Sequence, residues 1–324
     1  MLTRRLLSSA QYKEFKTDVE RGRLSHAYLV IGDDAMVRTT YKNLLAMTIL
    51  CKAGVCFNCP TCEKIIARAH SDVKFFNDDG EMKVKDAETL IEDAYIRGLE
   101  GSTKIYFVDN FDKFNRQEVP NKLLKIFEEP PEGVVIFLFA TSENGVLTTI
   151  KSRAKKMVLP TFTTEEVKEY LIDIGTPEDQ AEIASVLSGG RIDRGSKFAE
   201  NEEYVSQYER CFDVITSVKK SSDIASVLNN KIFSKEQISV TLEFFEIILR
   251  DVMCYVSKAK VPAMTLNKDY DISRIAEGFT AGGVAMALIA VTNARLRLNV
   301  NVNPLSVAER MMFDILEAKY KWQW

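Results

Sequence analysis

Five short apolar runs, rich in β-branched and aromatic residues, mark the first half of the chain: Ala27–Ile31, Val73–Phe76, Lys104–Val108, Val134–Ala140 and Met157–Leu159. They are almost continuously apolar, as expected of strands covered on both faces. Between them the apolar residues recur at helical spacing. Ser9 to about Gly22 reads as a helix, and Thr39–Cys51 repeats Tyr41, Leu44, Leu45 and Ile49 on one side. Asp86–Arg97 is a helix closed by Gly98, and Asn121–Glu129 an amphipathic helix stopped by Pro130-Pro131. Asp78-Asp79-Gly80 reads as a turn. Strands alternating with helices predict an α/β fold with a parallel sheet.

Beyond Pro160 the strand-like runs stop. Thr163 is a candidate helix cap with Glu166 as its capping-box partner, and a second helix, about Pro177–Leu187, ends at Ser188-Gly189-Gly190. Glu202–Thr216, Ser234–Ala259, Gly282–Leu298 and Pro304–Lys319 all have helical periodicity. Ser234 with Gln237 is a second expected capping box, and Leu242, Phe245, Ile248, Leu249 and Val252 form one core-facing stripe. The expected domains are residues 1–160, 161–201 and 202–324.

The first strand, its loop and its helix have the layout of a phosphate-binding loop, G-x-x-x-x-G-K-[ST]. Gly32 and Thr39 hold the first and last positions, but Val37 stands at the second Gly and Arg38 at the Lys. Asp33 and Asp34 put carboxylates where a polyanion would sit, with about 1 kcal/mol of repulsion per charge pair even in water. On this pattern alone, an ordinary strand-turn-helix is the plainer reading. The strand Lys104–Val108 ends in Asp109-Asn110. Asp109 is where a nucleoside triphosphatase orients Mg²⁺. Asn110 holds the position of the water-activating acid and, being an amide, is no base. Thr141 ends the strand Val134–Ala140, where such sheets place ligand-sensing groups.

Cys51, Cys56, Cys59 and Cys62 fall within twelve residues, and their short C-x2-C spacings are those of a four-thiolate structural Zn²⁺ site. His70, eight residues on, is an alternative fourth ligand. Composition adds little beyond size: 324 residues, 46% of them hydrophobic, suffice for two or three domains. A net charge of −3 gives no general attraction to nucleic acid. No apolar run is long enough to span a membrane and no secretory pattern opens the chain, so a cytoplasmic protein is expected.

His26-Ala27-Tyr28-Leu29, the cysteine cluster, His70-Ser71-Asp72, Asn121–Lys125 running into Glu128-Glu129-Pro130-Pro131, Ala140-Thr141 and Thr149–Arg153 occur in that order. In combination they resemble the delta-prime family of bacterial DNA polymerase III clamp-loader subunits, relatives of the tau/gamma motor subunits within the AAA+ class. The resemblance is dense over roughly residues 20–160. It implies a P-loop-like AAA+ domain with a zinc module, a small helical lid and a C-terminal helical collar that assembles with its counterparts. It also implies that Ser152-Arg153 matches the family's S-R-C motif, whose Arg acts as a finger on the ATP of a neighbouring motor subunit. Ala154 departs from the usual Cys. Gly190-Arg191 aligns with a turn entering a nucleotide-sensing helix. Thr141 takes the sensor position, and no ATP is expected to bind. The implied partners are tau/gamma ATPase subunits, the delta subunit and, through the assembled complex, the sliding clamp and primer-template DNA. A tau/gamma-type motor with a divergent loop is the main alternative, which Val37, Arg38 and Asn110 oppose. A zinc-bearing nucleic-acid-binding protein is the weaker one.

Overall fold

A computed structural model of the chain describes every residue except 78–81, 102, 114–117, 201, 262–264, 266–268, 301 and 323–324. The expected turn Asp78-Asp79-Gly80 and the terminal Trp324 lie outside the described residues. The chain divides into two compact units, Met1–Thr161 and Phe162–Trp324.

The first unit runs α1 (Leu2–Ser8), α2 (Ala10–Glu20), β1 (Ala27–Ile31), α3 (Ala35–Leu50), α4 (Pro60–Ile66), β2 (Val73–Phe76), α5 (Val84–Ala94), β3 (Lys104–Val108), α6 (Glu118–Glu128), β4 (Val134–Ala140), α7 (Thr148–Lys151) and β5 (Lys155–Val158). The strands form one parallel sheet in the order β2-β3-β4-β1-β5. β1 is flanked by β4 and β5, with Leu29 opposite both Leu138 and Lys156. The loop leaving β1 is therefore at the C-terminal edge of an interior strand, beside those leaving β4 and β5, with the end of β3 one strand further along.

Period-two alternation divides the apolar strands between two faces. On one face Phe75, Phe107, Phe137 and Tyr28 stack from β2 to β1 with ring centroids 5.0–5.3 Å apart, and Phe15 of α2 meets Tyr28 and Phe137 edge-on. On the other, Leu29, Tyr106, Ile136 and Leu138 pack with Leu90 of α5 and Leu123 and Ile126 of α6. Neither face is wet, which explains the continuous apolar character of the strands.

Several boundaries differ from expectation for local reasons. α3 begins at Ala35 rather than Thr39, because the Asp34 side chain caps it from one residue before. α6 begins at Glu118 rather than Asn121, with Pro120 in a first turn that tolerates a missing N–H. β5 begins at Lys155, two residues before its apolar part, where Lys155 pairs with Glu14 and Asp18.

The second unit is all-helical among the described residues. α8 (Thr164–Asp173), α9 (Glu178–Leu187) and α10 (Ile192–Glu200) pack on one another. The Thr163–Glu166 capping box forms with both of its hydrogen bonds. Then follow α11 (Glu202–Ser217), α12 (Ser221–Val227), α13 (Ile238–Val256), α14 (Asp269–Ala276), α15 (Ala281–Asn299) and α16 (Pro304–Lys321). The Ser234–Gln237 capping box does not form. Ser234 ends a short 3₁₀ turn, Lys231–Phe233, and Gln237 Nε2 donates to Glu203 Oε1 at 2.7 Å. The α13 stripe Leu242, Phe245, Ile248, Leu249 and Val252 is fully buried.

Candidate functional site

The loop between β1 and α3 binds to itself. Asp34 Oδ1 accepts the backbone N–H groups of Met36 and Val37, each at 3.0 Å. These are the first-turn donors that a phosphate-binding helix offers its ligand, and an internal carboxylate holds them here. Gly32 is fixed by packing rather than by phosphate: a Cβ there would lie 2.7 Å from Leu159 Cδ1. Val37 is buried in the core, and the Thr39 hydroxyl donates back to Ala35 O at 3.0 Å.

Arg38 folds over the loop, donating from Nη1 to Gly32 O at 3.0 Å. Its Nε lies 3.2 Å from Asp109 Oδ1, an ion pair without the angle of a hydrogen bond. One helical turn further along α3, Lys42 Nζ donates to the other oxygen, Asp109 Oδ2, at 2.7 Å. Lys42 is 1% exposed and lies 5.4 Å from the centroid of the Phe139 ring. The carboxylate expected to orient Mg²⁺ thus faces two side-chain cations from one helix face. An i, i+4 pair of cations gains nothing on a solvated helix, so their shared direction is a response to Asp109.

Asn110 adopts a left-handed conformation (φ 49°), and its N–H donates to Asp109 Oδ1 at 3.0 Å. Its side-chain amide reaches Asn77 O, while Asn77 Nδ2 donates to Asp109 O at 2.7 Å. Asn tolerates this backbone better than most residues, so the position has a conformational as well as a chemical requirement. The Thr141 hydroxyl donates to Asp112 Oδ2, which also accepts Ser142 N–H at 3.1 Å. In the second unit, Arg191 forms a bidentate pair with Asp193, at 3.0 and 2.8 Å.

Arg153 is exposed, just past α7. Its Nη1 donates to Thr149 O at 3.0 Å and lies 3.4 Å from Ser152 Oγ, and its Nη2 donates to Glu128 Oε1 at 3.0 Å. Ser152 Oγ donates to Thr149 O at 3.0 Å. Arg153 stands apart from the Asp109 cluster in these contacts.

The four cysteines do converge. Cys51 caps the C-terminus of α3 and Cys59 the N-terminus of α4, where its sulfur accepts Cys62 N–H. Sγ separations are 3.6 Å (Cys51–Cys56), 3.7 Å (Cys51–Cys59) and 3.8 Å (Cys56–Cys62), and all four sulfurs lie within 4.8 Å of one another. Four bonds of about 2.3 Å in a tetrahedron separate sulfurs by about 3.8 Å, so the cluster could hold a metal ion of zinc's kind. The N–H of Asn58 pulls the Cys56 thiol down to about 6, while burial pushes Cys62 up to about 12. His70 is not part of this group: its Nδ1 accepts Asp72 N–H at 3.2 Å.

Sequence reasoning overlooked Lys42, Asp112 and Glu128. The available signal for Lys42 was its place one turn after Arg38. Asp112 and Glu128 had none, since each acts on a residue distant in sequence.

A sequence model of the family described as "DNA polymerase III, delta subunit" matches residues 7–163. The chain is 24% identical over 310 residues to the DNA polymerase III subunit delta' of Bacillus subtilis, covering 92% of this chain and 93% of that one. Subunit tau of Escherichia coli is 30% identical over 154 residues, which are 46% of this chain and 24% of tau. Among solved structures, a DNA polymerase III gamma subunit-related protein from Thermotoga maritima aligns over 95% of this chain and 99% of its own, with a TM-score of 0.45 and 16% identity.

The Asp109 cluster makes a direct prediction. Asp109→Asn leaves two cations buried without their counter-charge and should destabilise the first unit by about 3–5 kcal/mol in urea unfolding. A loss below about 1 kcal/mol would show that the pairs contribute nothing to holding the site.

Proposed function

We propose that this chain, a bacterial DNA polymerase III clamp-loader subunit similar to the delta-prime subunits, is the non-hydrolysing member of its complex and donates Arg153 in trans to a neighbouring motor ATPase. The observation that carries the first half is the pairing of Asp109 with Arg38 and Lys42. A nucleotide would need the first-turn amides that Asp34 holds and the carboxylate that the two cations hold. Displacing both sets costs more than the phosphates return without the P-loop Lys and second Gly. Asn110 supplies no base for hydrolysis. With its own site closed, the subunit is a fixed element against which tau/gamma-type motors, a delta subunit, the sliding clamp and primer-template DNA are arranged.

The second half follows from the position and chemistry of Arg153. It is exposed, carries a planar fork, and needs only its Nη2 contact exchanged to meet an outside ligand. A γ-phosphate on a neighbouring subunit suits that fork, because guanidinium meets two phosphate oxygens at once and keeps its charge. In the transition state the cation stabilises charge on the transferring phosphoryl group, an effect of about 10³–10⁵ in rate. Ser152 shares the Thr149 carbonyl with Arg153 and keeps the turn that presents it. Cys51, Cys56, Cys59 and Cys62 would hold one structural Zn²⁺, tying the end of α3 to α4. The protein is assigned to the cytoplasm with the replication machinery; among its described residues no single helix is long and apolar enough to cross a membrane.

Elemental analysis should find about one zinc per chain, and none after replacing all four cysteines by Ser. Binding must displace thiol protons, above all from Cys62, so the apparent affinity should fall as the pH drops from 8 to 6. A folded native preparation without metal would contradict the assignment.

Arg153→Ala should leave assembly and zinc content unchanged. It should lower turnover at the adjacent motor site by about 10³-fold, measured in the assembled complex with the other sites disabled. Arg153→Lys should rescue poorly, having the charge without the fork. Unchanged hydrolysis at that site in Arg153→Ala would end the finger assignment.

A further inference from the structure

Helix α6 stops at Glu128 because Pro130 and Pro131 cannot extend it. Glu128 and Glu129 are thereby placed at the helix C-terminus, where exposed carbonyls make the dipole negative and acidic side chains are disfavoured. A nearby cation offsets this, and Arg153 is placed to do so: its Nη2 lies 3.0 Å from Glu128 Oε1. The two residues are 25 apart in sequence. Their alignment is set underneath, where Ile150 and Ala154, flanking the arginine turn, share one apolar cluster with Leu123, Ile126 and Phe127 of α6. The acidic proline-terminated stretch and the Ser-Arg turn are thus halves of one surface feature.

We propose that Glu128 is the resident counter-ion of the Arg153 finger: it holds the guanidinium in place while the adjacent site is empty and yields it to a γ-phosphate oxygen when a nucleoside triphosphate binds there. The proposal rests on the trans-finger reading of Arg153. The division of contacts favours exchange over dismantling. Nη1 is tied to the Thr149 carbonyl and faces Ser152 Oγ, and this end stays. Nη2 exchanges its carboxylate oxygen for one phosphate oxygen while a second N–H of the fork meets another, with no covalent bond made or broken. Both side chains of the ion pair are more than a third exposed, so it is a weak one that a multiply charged phosphate outcompetes. The contrast with Asp109 is direct: that carboxylate is buried with its cations, whereas Glu128 is accessible to a competing anion. Glu128 is therefore a positioning residue that also sets the threshold for engaging triphosphate.

The test uses the assembled clamp loader with all motor sites disabled except the one facing Arg153. Equilibrium binding of ATPγS and of ADP to that site is compared between the native complex and Glu128→Gln. Removing the competing carboxylate should tighten ATPγS binding by about 2- to 5-fold, the range set by exposed ion pairs. ADP binding should be unchanged because ADP has no γ-phosphate to compete. In an Arg153→Ala background, Glu128→Gln should change neither. Unchanged or weakened ATPγS binding in Glu128→Gln, in a complex where Arg153→Ala does impair hydrolysis, overturns the counter-ion role and leaves the finger standing. Unimpaired hydrolysis in Arg153→Ala removes the finger and the counter-ion role together.

Discussion

Asp109 meets Arg38 through one oxygen and Lys42 through the other, beneath the loop where a P-loop protein would hold a nucleotide. Taking charges out of water costs several kcal/mol per ion, so this cluster is tolerable only because each member is compensated at short range. That requirement constrains its surroundings. It draws two cations to one side of α3, turns Arg38 back onto Gly32 O and ties the end of β3 to α3. Asp34 complements it by holding the first amides of α3. Charge positions that a nucleotide and its cation would fill are thus met from within the chain.

Burial sorts these internal pairs by consequence. Asp109 with Lys42 is nearly dry, and breaking it costs about 3–5 kcal/mol by the usual measure of buried pairs. Arg153 with Glu128 is exposed, and such pairs are worth about 0–1 kcal/mol. The same chemistry is therefore costly to disrupt at Asp109 and readily exchanged at Arg153. The proposed role uses both: an Asp109 cluster that resists displacement, and an arginine that can change partner.

Much of this was legible in the residues. The bounds of β1 to β4 follow directly from continuous apolar runs, since a strand dry on both faces has no polar position to blur its ends. The cysteine cluster was equally plain, because ligand spacing within twelve residues is local information. The departures at Val37, Arg38 and Asn110 were visible as departures. Their replacements' partners were not: that Arg38 serves Gly32 and Asp109, that Lys42 joins it, and that Asn110 takes a left-handed backbone against Asn77 are tertiary facts. Helices α1, α4, α7, α12 and α14 escaped notice for being short, and α10 was anticipated only as the helix that Gly190-Arg191 enters. The Ser234–Gln237 cap failed for another reason: the Ser234 N–H goes to Lys231 O of the adjoining 3₁₀ turn, and Glu203 holds the Gln237 side chain through Nε2. Local capping patterns lose when a tertiary partner offers a better hydrogen bond.

Whether the chain's own charges fill the place where a P-loop would hold a nucleotide is read out by calorimetric titration of Mg-ATP into the isolated protein. No saturable heat is expected up to millimolar nucleotide. Only a partial gain is expected in a Val37→Gly, Arg38→Lys variant, because Asp34 still holds the α3 amides and Lys42 still holds Asp109. A micromolar dissociation constant for the native protein would contradict internal filling of that place and return the chain to the class of binding-competent motors.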